Sequence, residues 1–320
     1  MKLIGIDIGG TKCSVVTGDG TGRVTSKTKI ETKGYAETIS RIFDAVQTAG
    51  HADAVGISCG GPLDEKNGVI LSPPNLPGWE NVRICDMIKD RFGIKCAIKN
   101  DADACAVAEW KYGAGKGVSD MVFLTFGTGM GAGLILNGAP YSGADGNAGE
   151  AGHIRLAAKG PVGYHKAGSF EGFCSGGGIK QLGEAAAKKL FSKGSKGPLF
   201  CETEDKIPSI TAKAIAEAAY KGDKTALNIY KKSARYLGAG ISVLIDLLNP
   251  ELIVIGGIFP RCEDLLRDGM MKAIEKEALP FSAISCRIVP AYFKDDIGDI
   301  AALSVAACIY DGGYDNEKRT

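Results

Sequence analysis

The sequence predicts an α/β protein built from two related domains. Three observations carry this. Short β-branched and apolar runs alternate with segments of helical spacing along the chain, which is the pattern of α/β architecture. The chain has 320 residues, about two domains at roughly 150 residues each. The opening pattern also returns. Residues 3–24 and 121–143 share strand, Gly-Thr turn, strand and turn, with Thr11 and Thr128 lying 117 positions apart. A duplicated unit would give this repeat, with one Gly-Thr turn facing a shared cleft from each side.

The elements follow in order. Lys2 to Ile8 is a β-branched run ending in Gly9-Gly10, a strand and a tight turn. Cys13 to Thr17 and Gly22 to Ile30 continue as strands around the Gly18-Asp19-Gly20 turn. Ile39, Ile42, Phe43 and Val46 fall at helical spacing, so Tyr35 to Ala49 is a helix. Asp53 to Cys59 is a strand, Val82 to Phe92 a helix and Cys96 to Ile98 a short strand. Asp101 to Tyr112 is a helix with aspartate near its start. Met121 to Phe126 and Leu134 to Leu136 are strands, the second closed by an Asn137-Gly138 hairpin turn. Apolar residues from Leu227 to Leu248 step by three and four, so Thr225 to Leu248 is a buried helix. Glu251 to Ile255 is a strand ending in Gly256-Gly257, and Cys262 to Glu277 and Asp299 to Tyr310 are helices. Ser192 to Ser209, with two glycines and two prolines, reads as a surface excursion.

Composition excludes several classes. With 45% hydrophobic and 23% charged residues, the chain can bury a core, which rules out disordered and fibrous proteins. Thirty-eight basic residues against 37 acidic ones leave a net charge of +1 and no basic tract, so nucleic acid is not expected as a partner. No run of about 20 apolar residues occurs, because Asp246, Asn249, Pro250 and Glu251 break the best candidate. Asp7 interrupts the first apolar run too early for a secretion signal. The ten cysteines never come closer than nine positions, so no CxxC motif exists and a reducing cytoplasm is expected. Glycine is the outlier: 45 residues, roughly twice the typical share. Sixteen of them lie between Gly127 and Gly178, where backbone close to a ligand would require them.

The chemistry concentrates in a few motifs. Asp7-x-Gly9-Gly10-Thr11-Lys12 offers a carboxylate at a strand end, a glycine turn with exposed N–H groups, a hydroxyl and an ammonium. That set suits phosphate oxygens and a hydrated Mg²⁺, although an ordinary hairpin would also use such a turn. Gly127-Thr128-Gly129-Met130-Gly131 pairs with it. It is not a dinucleotide fingerprint, because a strand follows where a helix should. A P-loop is absent. Gly256-Gly257 after a strand is either a site for a nucleoside or a plain turn. Asn100-Asp101 sits at the carboxyl end of a strand, where α/β sites lie. Asp101 there either takes a proton from an attacking hydroxyl or caps the following helix, with Asp103 available for the helix terminus instead. Glu150, His153 and Glu171, set among small residues, suit the hydroxyls of a polyol, with a core histidine as the alternative for His153.

Together these residues resemble the ROK family of sugar kinases, within the hexokinase, actin and Hsp70 ATPase fold. The matching stretches are Gly5 to Lys12, Pro74 to Trp79, Asn100 to Asp103, Gly127 to Gly131, Gly149 to His153 and Ile255 to Gly257, in family order. The resemblance implies two RNase H-like domains with a cleft between them. A small domain would span residues 1–117, with a C-terminal helix at 298–312 packed back on it, and a large domain residues 118–297. It implies transfer of the γ-phosphoryl group of ATP to the 6-hydroxyl of a hexose. Glucose is first, and N-acetylmannosamine, N-acetylglucosamine or fructose are alternatives; a non-catalytic sugar-sensing regulator is a further one. Asp101 would be the base. Gly60, Gly61, Asn100, Glu150, His153 and Glu171 would line or hold the sugar. Gly9, Gly10, Thr11, Lys12, Gly127, Thr128 and Gly129 would meet the phosphates, Gly256 and Gly257 would flank the adenosine, and Asp7 would hold Mg²⁺ through water. A cytoplasmic homodimer or homotetramer with no membrane partner is expected.

One departure stands out. Many relatives carry three zinc-binding cysteines after the Gly-His pair. This chain has Val162-Gly163-Tyr164-His165-Lys166-Ala167-Gly168-Ser169-Phe170-Glu171, with no cysteine. Cys174 lies just beyond, with His153 and His165 upstream, and three mixed ligands at those spacings are a poor zinc set. No structural zinc is expected, and Phe170 packing would fix the loop instead.

Overall fold

The computed structural model describes residues 1–312. Its elements are, in order, β1 (Leu3–Ile8), β2 (Lys12–Gly18), β3 (Val24–Glu31), α1 (Tyr35–Ala49), β4 (Ala54–Cys59), the two-residue strands β5 (Leu63–Asp64) and β6 (Val69–Ile70), α2 (Ile84–Phe92), β7 (Cys96–Asn100) and α3 (Asp101–Tyr112). Then come β8 (Met121–Leu124), β9 (Ala132–Leu136), β10 (Ala139–Tyr141), the short β11 (Val162–Gly163) and β12 (Lys166–Ala167), α4 (Phe170–Phe173), α5 (Gly176–Phe191) and α6 (Ala212–Tyr220). The chain closes with α7 (Lys224–Leu248), β13 (Leu252–Ile255), α8 (Glu263–Glu277), α9 (Pro280–Ser285), β14 (Arg287–Pro290) and α10 (Ile297–Tyr310). Two compact units form. The first holds Met1–Ser119, Gly133–Ala148 and the segment from Tyr292; the second holds Asp120–Ala132 and Gly149–Ala291.

The first unit is a five-stranded sheet in the order β3-β2-β1-β4-β7. β1, β2 and β3 form an antiparallel meander, and β4 and β7 add on parallel to β1. Alternation along β1 sends side chains to both faces. Ile4, Ile6 and Ile8 pack with Ile42, Phe43 and Val46 of α1 and with Ile84 and Ile88 of α2. Leu3 faces the other way, with Val16, Leu303, Ala306 and Ala307. β4 is buried throughout, as a central strand covered on both sides should be.

The second face is covered by α10, which arrives from the far end of the sequence. It lies so close that a Cβ on Gly56 would stand 2.2 Å from the Ala306 nitrogen and 2.3 Å from the Ala302 oxygen. A Cβ on Gly5 would stand 2.8 Å from the Leu303 nitrogen. Asp299 to Cys308 are all buried, and a helix so apolar on every side must be covered on every side. The buried carboxylate of Asp299 is satisfied by the Ser14 hydroxyl at 2.6 Å and by the Lys27 ammonium.

The segment Gly133–Ala148 groups with the first unit, whereas the sequence suggested an unbroken second domain over 118–297. The reason is steric. At Gly133 a Cβ would fall 2.4 Å from the Ala102 oxygen and 2.6 Å from the Ala106 Cβ, so β9 rests directly on α3. The Asn137-Gly138 hairpin turn forms as the sequence reads it, both residues having positive φ. The C-terminal return begins at Tyr292, ahead of the expected 298.

In the second unit β13 lies between β8 and β14, all three parallel. α7 carries the buried face that its spacing predicts. It pairs with α8 through Gly238, where a Cβ would stand 2.3 Å from the Met270 oxygen. α5 and α6 are absent from the sequence reading; three glycines open α5, and a glycine run reads as a turn.

Gly56→Ala should lower stability by at least about 2 kcal/mol, since backbone on α10 would have to move. Thermal unfolding measures this, and an unchanged melting temperature would contradict the packing described.

Candidate active site

The first unit gathers its chemical groups at the carboxyl ends of β1, β4 and β7. Asp7 is partly buried near the end of β1. Gly298 at the start of α10 has no side chain, and a Cβ there would lie 2.9 Å from the Asp7 Oδ2. Burial pushes the Asp7 carboxyl up to about 6, and the charges of Asp299 and Asp101 add to the rise. Lys12 and Lys27 oppose it. The Gly9-Gly10-Thr11 turn follows directly. The Gly9 N–H donates to the Lys12 carbonyl at 3.2 Å, and the Thr32 hydroxyl donates to the Gly9 carbonyl at 2.6 Å. Gly10 must be glycine because Asn75 crosses above it: a Cβ would lie 2.5 Å from the Asn75 oxygen. Thr11 and Lys12 remain exposed.

Asn100 is the N-cap of α3. Its Oδ1 accepts the Ala102 N–H at 3.0 Å, which leaves its amide NH₂ as a donor. Asp103 lies buried in the first turn of the helix, where its negative charge favours the helix start; the cap itself is Asn100. A cap must precede the helix, and Asn100 does. Gly61 lies beside Asn100, where a Cβ would meet the Nδ2 at 3.4 Å; Gly60 borders open space. Asp101 stays reachable by water. Protein atoms still crowd it enough to disfavour the charged form, which raises its pKa, while hydrogen bonding from the Ala102 and Asp101 backbone opposes the rise. Its Oδ1 accepts the Ala102 N–H at 2.8 Å.

The second unit builds its site around Met130. The Met130 N–H donates to Glu171 Oε2 at 3.0 Å. Its carbonyl faces Gly152, where a Cβ would fall 1.9 Å away. One backbone unit thus holds the Gly127-Thr128-Gly129 turn against both predicted sugar loops. Gly149, at φ 89°, accepts the Ala132 N–H at 3.0 Å. Glu150 and His153 are exposed, so His153 is not a core histidine. Its ring meets the edge of Tyr164, and its carbonyl accepts from Lys166 Nζ at 2.8 Å.

The turn is gripped from behind by the start of α5. The N–H groups of Gly176 and Gly177 donate to the carbonyls of Gly127 and Thr128 at 2.8 and 3.3 Å, and Ser175 caps the helix. Sequence reasoning missed these residues; a serine followed by three glycines was the available signal. Gly256 and Gly257 complete the arrangement. Gly257, at φ 63°, lies so close to the turn that a Cβ would stand 2.1 Å from the Phe126 oxygen. Phe170 is fully buried against Gly240 of α7, and the Cys174 thiol donates to the Ser233 carbonyl at 3.5 Å.

The donor set fits Mg²⁺. The Asp7 carboxyl, raised first by burial and then by the nearby charges of Asp299 and Asp101, would be relieved by a cation, and hard oxygen donors are what this ion takes. Among the described residues no group of three or more His, Cys, Asp or Glu side chains is arranged to hold a metal. Asp7 would therefore act with water and phosphate oxygens completing the shell. Among the described residues no helix is long and apolar enough to cross a membrane.

Comparison with known proteins agrees across the chain. The sequence pattern of the ROK family matches residues 3–308. A glucokinase of Thermotoga maritima is 32% identical over 313 residues, covering 95% of this chain and 97% of that protein. A glucokinase of Halalkalibacterium halodurans is 32% identical over 310 residues, 93% of this chain and 92% of that one. Among solved structures, a ROK family glucokinase from Streptomyces griseus in complex with glucose and AMPPNP is 30% identical, with a TM-score of 0.77 over 96% of this chain and 99% of that one.

Two glycines in the second unit should respond differently to alanine. Gly152→Ala drives a methyl into a backbone carbonyl and should cost about 2–4 kcal/mol. Gly129→Ala meets only the carboxylate of Glu171, at 2.7 Å, which can turn aside at the cost of its bond from the Met130 N–H, and should lose about 1 kcal/mol. Thermal unfolding of both variants checks the contrast; equal losses would contradict it.

Proposed function

The chain belongs to the ROK family, and on that footing we propose that it is an ATP-dependent glucose kinase acting on the 6-hydroxyl. The observation that carries this is Asp101 at the first position of α3, with a raised pKa and Asn100 capping beside it. A carboxylate whose pKa is raised is a better general base than an ordinary one. The Streptomyces griseus relative, solved with glucose and AMPPNP, supports both the sugar and the nucleotide.

The residues divide the work. The Asn100 amide donates to the sugar, and Glu150, His153 and Glu171 fix its hydroxyls, with Gly60 and Gly61 lining the approach. Asp101 accepts the proton of the 6-hydroxyl as that oxygen bonds to the γ-phosphorus. The bond from the γ-phosphorus to the β,γ-bridging oxygen breaks, and ADP leaves with its electron pair. Phosphoryl transfer demands positioning and charge neutralisation above all. Gly10, Thr11 and Lys12 supply these, with the Gly9 N–H already given to the Lys12 carbonyl to close the turn, and Thr128 and Gly129 supply them as well. The Gly127 and Met130 N–H groups are already taken, so donation from that turn falls to its two middle residues. Gly256 and Gly257 lie beside the adenosine. When bound through Asp7, Mg²⁺ neutralises phosphate charge. The same proposal includes a cytoplasmic homodimer or homotetramer with no structural zinc, its sugar loop anchored by Phe170.

ADP release with Mg-ATP and a panel of glucose, N-acetylglucosamine, N-acetylmannosamine and fructose tests the reading. Glucose should give the highest kcat/KM. Stimulation by none of them would overturn the kinase reading, and preference for another sugar would overturn the substrate.

A further inference from the structure

A buried ion pair stands immediately before the Asn100-Asp101 pair and has no part in the chemistry above. Glu65 lies in the turn between β5 and β6. Its Oε2 accepts from Lys99 Nζ at 2.6 Å, and its Oε1 accepts the Asn100 backbone N–H at 2.8 Å. The two side chains are only 11% and 13% exposed. Lys99 Nζ also donates to the Ser142 hydroxyl at 3.2 Å, in the segment that follows β10. Three stretches distant in sequence thus meet on one charge pair: the turn after Gly60-Gly61, the end of β7, and the segment leading to Ala148.

Such a pair is costly to bury and is weak as a stabiliser in itself. Here each Glu65 oxygen has its own partner, which gives charge-assisted bonds a defined direction. The bond to the Asn100 N–H matters most. Asn100 is where strand β7 becomes helix α3, and its side chain caps that helix. The orientation of its amide and the start of the turn bearing Asp101 both depend on where its backbone is held. Glu65 holds it.

We propose that Glu65 is a positioning residue for phosphoryl transfer: it fixes the Asn100 backbone, and Lys99 and Ser142 fix Glu65 in turn. The inference rests on the reading of Asp101 as the base. A misplacement of about 1 Å in such a group costs roughly 10²-fold in rate.

Two conservative variants separate positioning from plain structural support. Glu65→Gln keeps an acceptor for the Asn100 N–H but loses the charge; it should melt at a lower temperature and keep kcat within about fivefold of wild type. Glu65→Asp keeps the charge but draws the carboxylate back by one carbon. It should keep its melting temperature more nearly and lose roughly 10–100-fold in kcat, with KM for ATP unchanged. Wild-type kcat in Glu65→Asp would overturn the proposal, as would a Glu65→Gln variant that loses as much kcat as Glu65→Asp. Ser142→Ala, which removes only the outer bond, should fold and lose up to about tenfold in kcat/KM for the sugar; no loss would remove Ser142 from the arrangement and overturn that part. Wild-type turnover, measured alongside, tests the kinase reading separately, because the proposal concerns only ratios to it.

Discussion

The first unit depends on one close approach, that of α10 to the sheet. The helix reaches β1 and β4 from the opposite end of the chain and lies at backbone distance over Gly5 and Gly56. Side chains at these two positions would lift it off. Its seating has two consequences. It buries Asp299, whose charge is met by Ser14 and Lys27. It also sets Gly298 against the Asp7 carboxylate. Packing at the back of the sheet therefore fixes the environment of the group proposed to hold the metal. The raised pKa of Asp7, owed first to burial and then to Asp299 and Asp101, is an electrostatic cost that the proposed cation would offset.

The second unit solves a similar problem with backbone alone. Both groups of the Met130 peptide region are used: the N–H holds Glu171 and the carbonyl abuts Gly152. The Gly127-Thr128-Gly129 turn and the loops proposed to hold the sugar are therefore one piece of structure, fastened again by Gly176 and Gly177 at the head of α5. This accounts for the glycine content. Gly152, Gly178 and Gly257 would each place a Cβ within about 2 Å of a carbonyl oxygen, a distance no real side chain tolerates. At these positions the excess serves backbone-to-backbone contact, which sharpens the reading from composition.

Much of this was legible in the sequence. The alternation of strand and helix, the repeated Gly-Thr turn, the Asn-Gly hairpin and the spacing in α7 each express a local physical rule, and each appears in the structure. Less local features were not legible. The grouping of Gly133–Ala148 with the first unit depends on contact between β9 and α3, which no local pattern encodes. α5 begins with glycines because its first turn is pressed against Gly127 and Thr128, so tertiary contact overrides propensity. The sequence suggests Asn100 as a sugar ligand and Asp101 or Asp103 for the helix start. The structure gives the Asn100 oxygen to the cap and leaves only its NH₂ for a ligand. The Glu65–Lys99 pair spans 34 positions and left no local trace.

The central claim is that Asp101 removes the proton from the sugar hydroxyl. The most direct test compares Asp101→Asn with wild type in glucose phosphorylation and in calorimetric glucose binding. Asparagine keeps the size and the hydrogen bond to Ala102 but accepts no proton. The account predicts that kcat falls by about 10²–10⁴-fold while the glucose Kd stays within a few-fold of wild type. Near-normal turnover in Asp101→Asn would contradict it.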